Sequence, residues 1–178
     1  MNVSGVIHRV LVRAATLIGL ASTPLAIAQA PAMGTESFEA TLVRVEAAQV
    51  ELVRGKPEAF KTLWSHRADV TLVGGLGGAI ERGWDRVSQR LDWVSSQYTQ
   101  GRREHEEVSR LVGSDVALVV QRETIRFRAP GETNETVQQL RATMVFRMEA
   151  GAWKIVHRHA DSQAMKHPTG ARTGPDNK

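Results

Sequence analysis

Apolar residues recur at helical spacing in three stretches of the first half of the chain. The stretches contain Phe38, Leu42, Val45 and Leu52, then Phe60, Leu63 and Trp64, then Trp84, Val87, Leu91 and Val94. Ser37 can cap the first helix and Gly55 ends it, while Pro57 suits the first position of the second helix and Gly83 precedes the third. We therefore predict three helices.

The second half of the chain alternates between apolar and polar residues, as strands do. Residues 69–73 predict a short strand followed by a glycine-rich turn at 74–78. Longer strands are predicted at 104–112, 116–128, 136–148 and 153–161, separated by turn-forming residues. Helices followed by hairpin-joined strands indicate an α+β domain in which an antiparallel sheet covers the helices on one face.

The first 28 residues have the pattern of a secretory signal peptide. Arg9 and Arg13 precede an uncharged, mostly apolar run at 14–28, which is too short for a membrane span. Cleavage after Ala28 is favoured, since a cut two residues later would place a proline beside the broken bond. The sequence predicts export to the periplasm or the medium; the alternative is a cytoplasmic protein that starts at Met33.

The overall charge does not indicate a nucleic-acid partner. The 178 residues carry a formal net charge of +4 and a pI near 10.0, but two leader arginines and a tail of net +2 account for all of it. Residues 162–178 are polar and rich in Gly and Pro, so we predict a disordered tail. The chain has no cysteine, which excludes disulfides, a thiolate nucleophile and a lipid anchor.

Two segments carry a resemblance to a known family. They are Trp64-Ser65-His66-Arg67-Ala68-Asp69-Val70-Thr71 and the final Trp153-Lys154-Ile155-Val156-His157-Arg158-His159-Ala160-Asp161. With the order of elements, they make residues 35–161 resemble the nuclear transport factor 2-like superfamily, and within it the SnoaL-like and ketosteroid-isomerase-like bacterial group. The resemblance implies a cone-shaped fold, in which a strongly curved antiparallel sheet wraps around the helices, about three in number, and leaves a cavity. It also implies a homodimer formed through the outer face of the sheet.

The resemblance leaves the function open. Members include isomerases, dehydratases and cyclases as well as proteins that only bind a ligand. The general base of a ketosteroid isomerase would fall at Gly74 or Gly75, its tyrosine near Ala48 or Gln49, and its protonated acid near Thr143. None of these residues can perform those roles, which argues against isomerisation by that mechanism.

The last strand holds the candidate chemistry. Alternation places His157, His159 and Asp161 on one face with Trp153 and Ile155, and we expect this face to line the cavity. The two imidazoles would stand about 7 Å apart, close enough to form a proton-transfer chain with the carboxylate. The alternative is that these groups are structural and hydrogen-bonded at a polar cavity mouth.

Further residues are predicted at the site. His157 and Asp69 are the candidate catalytic residues, although Asp69 could instead cap the turn before the first strand. The candidate ligand-binding residues are Trp64, Trp84, Arg90, Trp93, Glu123, His159 and Asp161. Glu123 either faces the cavity beside Gln121 or pairs with Arg141 on the neighbouring strand. A metal bound by the His-x-His pair would need a third ligand from elsewhere in the fold, namely Asp69, Glu123 or His66, so no metal site is predicted.

These features predict an exported protein whose pocket accepts a small organic molecule. If it is an enzyme, the reaction would be proton transfer without a cofactor, namely isomerisation, dehydration or cyclisation. The alternative is a non-catalytic ligand-binding or dimeric interaction module. Neither nucleic acid nor, after signal cleavage, a membrane is expected as a partner.

Overall fold

The computed structural model describes residues 36–163 and Met1. The predicted signal peptide and nearly all of the predicted tail lie outside these residues. The elements are α1 (Phe38–Leu52), α2 (Glu58–Thr62), β1 (Thr71–Val73), β2 (Glu81–Arg82), α3 (Trp84–Ser96), β3 (Thr99–Val112), β4 (Val116–Arg128), β5 (Thr136–Glu149) and β6 (Ala152–Ser162). Within this part of the chain no helix is long and apolar enough to cross a membrane.

The helices form where the apolar pattern predicts them. Ser37 caps α1, because its Oγ accepts a hydrogen bond from the Ala40 amide at 3.2 Å. Gly55 follows the end of α1 with a φ of 86°, a conformation that favours glycine. Pro57 occupies the N-cap of α2, one position earlier than predicted. The apolar stripes of all three helices pack into the core.

Six strands form one mixed sheet in the order β2-β1-β6-β5-β4-β3. Its neighbouring strands are antiparallel except β1 and β6, which are parallel, with Thr71 paired to His157. The sheet is thus antiparallel, as predicted, at every boundary except this one. β2, α3 and three hairpin-joined strands separate β1 from β6, so no tight turn forces them to run in opposite directions.

The inner face of β4 changes character along its length. Ala117, Val119, Ile125 and Phe127 are buried at alternate positions, as the period of a strand requires. The two alternate positions between them hold Gln121 and Glu123, which are also buried. The row that faces the core thus contains a polar segment flanked by apolar ones. Buried polar groups need partners, so this segment marks where a site can form.

The strand β3 begins five residues before the predicted start. It is an edge strand whose residues are mostly exposed, and its pairing with β4 shifts between Thr99 and Arg102 and again between Glu107 and Ser109. Gly101 lies inside the first irregularity and is buried against the end of α1. A bulge of this kind redirects the side chains that follow it, and here it precedes Arg103.

A second bulge lies on β6 and decides which residues face inward. His157 pairs with Val145 and Ile155 pairs with Phe146, so Val156 is an extra residue. One extra residue moves every later side chain to the opposite face. Beyond the bulge, Arg158 pairs with the buried Met144 and Ala160 pairs with the buried Ala142.

Candidate functional site

A narrow cavity lies between the helices and the inner face of the sheet. Its lining is mostly apolar, with side chains such as Leu52, Leu72, Leu91, Ile125 and Leu140. Five polar side chains also line it: Gln49, Tyr98, Arg103, Glu123 and Arg158. The cavity volume is about 50 Å³, several times the ~10–15 Å³ that one water molecule needs. The cavity has the composition of a small-molecule site.

Glu123 is the buried anion of this cavity. Its side chain is 0% exposed, and its two carboxylate oxygens accept hydrogen bonds from Nη2 of Arg158 at 2.8 and 2.7 Å. Gln121 donates a further bond at 2.8 Å. Nη2 of Arg103 lies 3.2 Å from the same carboxylate, close enough for an ion pair. The carboxylate is therefore compensated by two guanidinium groups.

The charge state of Glu123 follows from these neighbours. Burial alone would raise the pKa of its carboxyl group. The nearby charges of Arg158 and Arg103, together with the hydrogen bond from Gln121, outweigh burial and lower this pKa to about 2. Glu123 is consequently ionised at neutral pH, and such a weakly basic carboxylate is a poor general base there.

Arg103 is the second buried cation and is only partly satisfied. Its side chain is 2% exposed, and Nη1 donates to the carboxylate of Glu46, which also lies 3.0 Å from Nδ1 of His105. Its Nε and Nη2 atoms are buried without a hydrogen-bond partner among the described residues. Unpaired buried donors of a charged group are unfavourable, so an acceptor that reached these two atoms would be stabilised there.

Tyr98 and Gln49 complete the polar lining. Burial raises the pKa of Tyr98 to about 12, so its hydroxyl stays protonated, and it donates to Gln138 at 3.4 Å. Gln138 in turn donates to the carbonyl of Gly75 at 2.9 Å and thereby holds the glycine-rich loop that forms one wall. Gln49 is buried with its Oε1 unpartnered among the described residues, while Nε2 contacts the sulfur of Met144.

Family and fold comparisons agree with this geometry. The family model described as SnoaL-like domain matches residues 45–165. The chain belongs to the SnoaL-like family. A search among curated proteins finds no match to this SnoaL-like domain.

Solved structures share the fold of the SnoaL-like domain. A candidate dehydratase of the nuclear transport factor 2-like family from Streptomyces avermitilis is 24% identical, over 70% of this chain and 95% of that one, with a TM-score of 0.60. A ketosteroid isomerase-like protein from Erwinia carotovora atroseptica is 17% identical, over 72% and 100%, with a TM-score of 0.57. A nuclear transport factor 2-like superfamily protein from Salmonella enterica is 16% identical, over 75% and 98%, with a TM-score of 0.56. At these identities the likeness shows the fold alone.

The structure does not place His157 in the cavity of the SnoaL-like domain. The bulge at Val156 reverses the alternation, so His157 and His159 face away from the lining while Arg158 takes the inward position. Nδ1 of His157 instead lies 2.7 Å from Oγ1 of Thr71 on β1. The prediction that these imidazoles line the cavity is wrong, because period-two alternation assumes an unbroken strand.

The pKa of His157 predicts a measurable pH dependence of stability. Burial, and then the neighbouring charge of His159, lower this pKa below its usual value near 6.5. The unfolded chain therefore binds the proton more readily, so the contribution of His157 is present above pH 6.5 and is lost as the pH falls through the folded-state pKa. Urea unfolding at several pH values between 7.5 and 5 should show this loss, and it should be smaller in His157→Asn. An identical slope in the variant would assign the effect to another group.

The two predicted carboxylates Asp69 and Asp161 also lie outside the cavity. Asp69 pairs with Arg147 at 2.7 Å, and Arg147 also binds Glu149. Asp161 pairs with Arg141 at 2.5 Å across β5 and β6, so Arg141 is the partner of Asp161 rather than of Glu123. Both carboxylates form partly exposed ion pairs, which contribute little to stability.

The remaining predicted residues have supporting positions. Trp64 is core and packs edge-to-face on Phe60, and Trp84 stacks on the ring of His66 at 3.9 Å. Arg90 lies over the ring of Trp93, which is 44% exposed. Arg90 also donates to the carbonyl of Gly77, so it braces the loop that forms a cavity wall. Glu123 alone of the predicted site residues lines the cavity itself.

Of the five polar lining residues, Glu123 is the one that was predicted. Gln49, Tyr98, Arg103 and Arg158 were not among the predicted site residues. A usable signal existed for Gln49, which interrupts the apolar side of α1. Within the described residues, no cluster of three or more His, Asp or Glu side chains could hold a metal ion.

Proposed function

We propose that this SnoaL-like domain binds a small, partly polar organic molecule in the cavity between its helices and sheet. The observation that carries the proposal is the buried cluster of Arg103, Glu123 and Arg158 in an otherwise apolar lining. An apolar wall with a few convergent polar groups is the usual design of a ligand site. The apolar wall would hold the body of the ligand, and the cluster would orient its polar end.

Stability alone does not account for a cluster of this kind. Removing three charged groups from water costs several kcal/mol for each ion, and well-packed apolar side chains often stabilise a core equally well. The cluster is also incompletely paired, since two nitrogen atoms of Arg103 lack partners among the described residues. A site that keeps unpaired buried donors is better explained by recognition than by folding.

Binding is better supported than the proton-transfer chemistry that the sequence suggested. Among the described residues that line the cavity, the titratable groups are Tyr98, Arg103, Glu123 and Arg158. The pKa of Glu123 is about 2 and that of Tyr98 about 12, so neither group exchanges a proton readily near neutral pH. Names such as dehydratase or isomerase-like belong to the structural neighbours, and the imidazole that could have served as base faces away from the lining.

A pair of variants on one strand tests the binding site. Ala160 lines the cavity and His159 beside it faces the other way, so Ala160→Leu fills the cavity while His159→Leu leaves it open. Isobutyrate, isobutyramide and 3-methylbutan-1-ol serve as probes, and ¹H–¹⁵N NMR of the labelled protein reports where each one binds. We expect shifts at residues of the lining in the wild type and in His159→Leu, and their loss in Ala160→Leu.

The control for this experiment is a test of whether each variant still folds. Circular dichroism must show that Ala160→Leu is folded, and Ala160→Val is the milder substitution if leucine overpacks the core. Binding that survives both substitutions, or probe shifts confined to the outer face of the sheet, would contradict the proposed site.

We also propose export, on the pattern of the first 28 residues. A positive segment, an apolar run and small residues before the cut occur in the order that a signal peptidase requires. The mass of the protein recovered from the periplasm or the medium tests this directly. A mature chain that begins at Gln29 is expected, whereas a chain that begins at Met33 in the cytoplasm contradicts it.

A homodimer is proposed as the oligomeric state. Support comes from exposed apolar side chains on the long strands, namely Val108, Leu111, Val112, Val116 and Val137. Apolar surface that is shared between two copies would be removed from water. Light scattering after gel filtration should give twice the chain mass, and a monomer at micromolar concentration contradicts the proposal.

A further inference from the structure

We infer that the ligand of this cavity is a small carboxylate, bound through its carboxylate group by Arg103. The inference rests on the proposed function and specifies the chemical class of the ligand. Among the described residues, Arg103 alone has two buried donor atoms without a hydrogen-bond partner on one side chain. Three observations carry the inference: the edge of the guanidinium that is free, the balance of buried charge, and the size of the apolar wall.

The free edge of Arg103 has the geometry that suits a carboxylate. Nε and Nη2 lie on one side of the planar guanidinium group and point their hydrogens in nearly parallel directions. Two parallel N–H groups match the two oxygens of a carboxylate, which is the strongest of the arginine pairings. Nη1, on the other side, is already bonded to Glu46. Glu46 thus fixes the plane of the group and leaves its bidentate edge without a hydrogen-bond partner among the described residues.

Glu123 does not occupy this edge. Its Oε1 atom lies 3.2 Å from Nη2 of Arg103, but Nη2 makes no hydrogen bond in the structure. Both carboxylate oxygens of Glu123 are instead hydrogen-bonded to Arg158. The hydrogens on Nε and Nη2 therefore remain available to a second acceptor.

The charges in the lining favour an anion over a neutral ligand. Two guanidinium groups and one carboxylate line the cavity, while Glu46 approaches Arg103 from outside the lining and is partly exposed. Within the lining a carboxylate ligand would therefore meet two cations and one anion, and in a buried site a charge-assisted pair is stronger than a neutral hydrogen bond. A cationic ligand would be repelled by the same two groups.

The apolar wall sets the size of the ligand. The cavity volume of about 50 Å³ and the surrounding leucine and isoleucine side chains suit a short or branched carbon chain of a few atoms. Isobutyrate is a probe of this kind. Isobutyramide has nearly the same shape and no charge, so the two probes differ only in the group that would meet Arg103.

The test compares these two probes on the mature, ¹⁵N-labelled protein. Affinity is measured by NMR titration, and the Nε–Hε signal of Arg103 reports whether the guanidinium edge is engaged. We expect isobutyrate to bind at least about tenfold tighter than isobutyramide, because a charge-assisted hydrogen bond is roughly twice as strong as a neutral one. Arg103→Lys keeps the charge but loses the bidentate edge, and it should abolish most of that preference.

The matched control is Arg122→Lys, on the adjacent strand β4. Arg122 forms an exposed ion pair with Glu106, and its replacement should leave both affinities unchanged. Equal binding of the two probes at the cavity overturns the carboxylate inference while the proposed binding function stands. If neither probe shifts any residue of the lining, both proposals are overturned. Should Arg103→Lys fail to fold, two measurements on the wild type still test the inference: the ratio of the two probe affinities and the response of the Nε–Hε signal of Arg103.

Discussion

Replacing Gly101 with alanine is expected to lower the free energy of unfolding by about 3 kcal/mol or more. A Cβ atom at this position would lie 2.6 Å from the carbonyl carbon of Val53 and 2.9 Å from its Cβ, with the carbonyl oxygen closer still. The obstacle is backbone at the end of α1, which no side-chain rotation can relieve. β3 would have to move away from α1, and Arg103 two residues later would move with it. Chemical denaturation measures the loss, and probe binding should weaken in parallel.

The control for this prediction is Gly131→Ala. Gly131 has a φ of 82° and open space around its Cβ position, so alanine there meets backbone strain without a clash. It should cost only about 1–2 kcal/mol. A Gly101→Ala protein as stable as this control would show that β3 can move away from α1 at little cost, and would contradict the close packing of Gly101 on Val53.

The second large effect is expected for Glu123→Gln, which should cost about 3–5 kcal/mol in the free energy of unfolding. The substitution keeps the shape of the side chain but removes the buried carboxylate of the cavity lining, so Arg158 loses its carboxylate partner and Arg103 keeps only Glu46. Glu106→Gln is the matched control, since Glu106 pairs with Arg122 on the surface and should cost less than about 1 kcal/mol. Thermal or urea unfolding of both variants makes the comparison.

The same carboxylate predicts a pH dependence with a definite sign. Because the pKa of Glu123 is lowered to about 2 in the folded protein, its contribution is fully present above its ordinary value near 4.5. That contribution is lost as the pH falls through about 2. The difference in stability between the wild type and Glu123→Gln should therefore shrink on acidification below pH 4.5. A difference that stays constant down to pH 2 would mean that Glu123 is not held as an anion by its arginine partners.

Most of the fold was predictable because local signals agreed with one another. The helical stripes, the cap at Ser37 and the bounds of β4 follow from spacing, and the structure confirms them. The start of β3 was missed because its first residues, Thr99 to Arg103, are polar and give no alternation. The two residues of β2 are too few to carry a periodic signal.

The site was harder to predict than the fold, and the reason is geometric. The prediction of inward-facing histidines assumed that alternate residues of β6 share one face of the sheet. The extra residue at Val156 moves the side chains that follow it to the opposite face. Nothing in the composition of that strand marks the bulge. Arg103 was missed for a different reason. It belongs to the segment Arg-Arg-Glu-His-Glu-Glu at 102–107, a pattern that is typical of a solvent-exposed strand. Its burial depends on Gly101 and Val53, which are far apart in sequence.

The position of β6 in the sheet has a consequence for how the molecule is assembled. The last strand to be made lies between β1 and β5, and it supplies both Arg158 and the partner of Thr71. Without that strand, β1 and β2 have no strand pairing with the long hairpins. Closing the sheet joins positions 86 residues apart in the chain, which costs loop-closure entropy. A ribosome-bound or truncated chain that lacks β6 holds the pieces of the cavity without the strand that joins them.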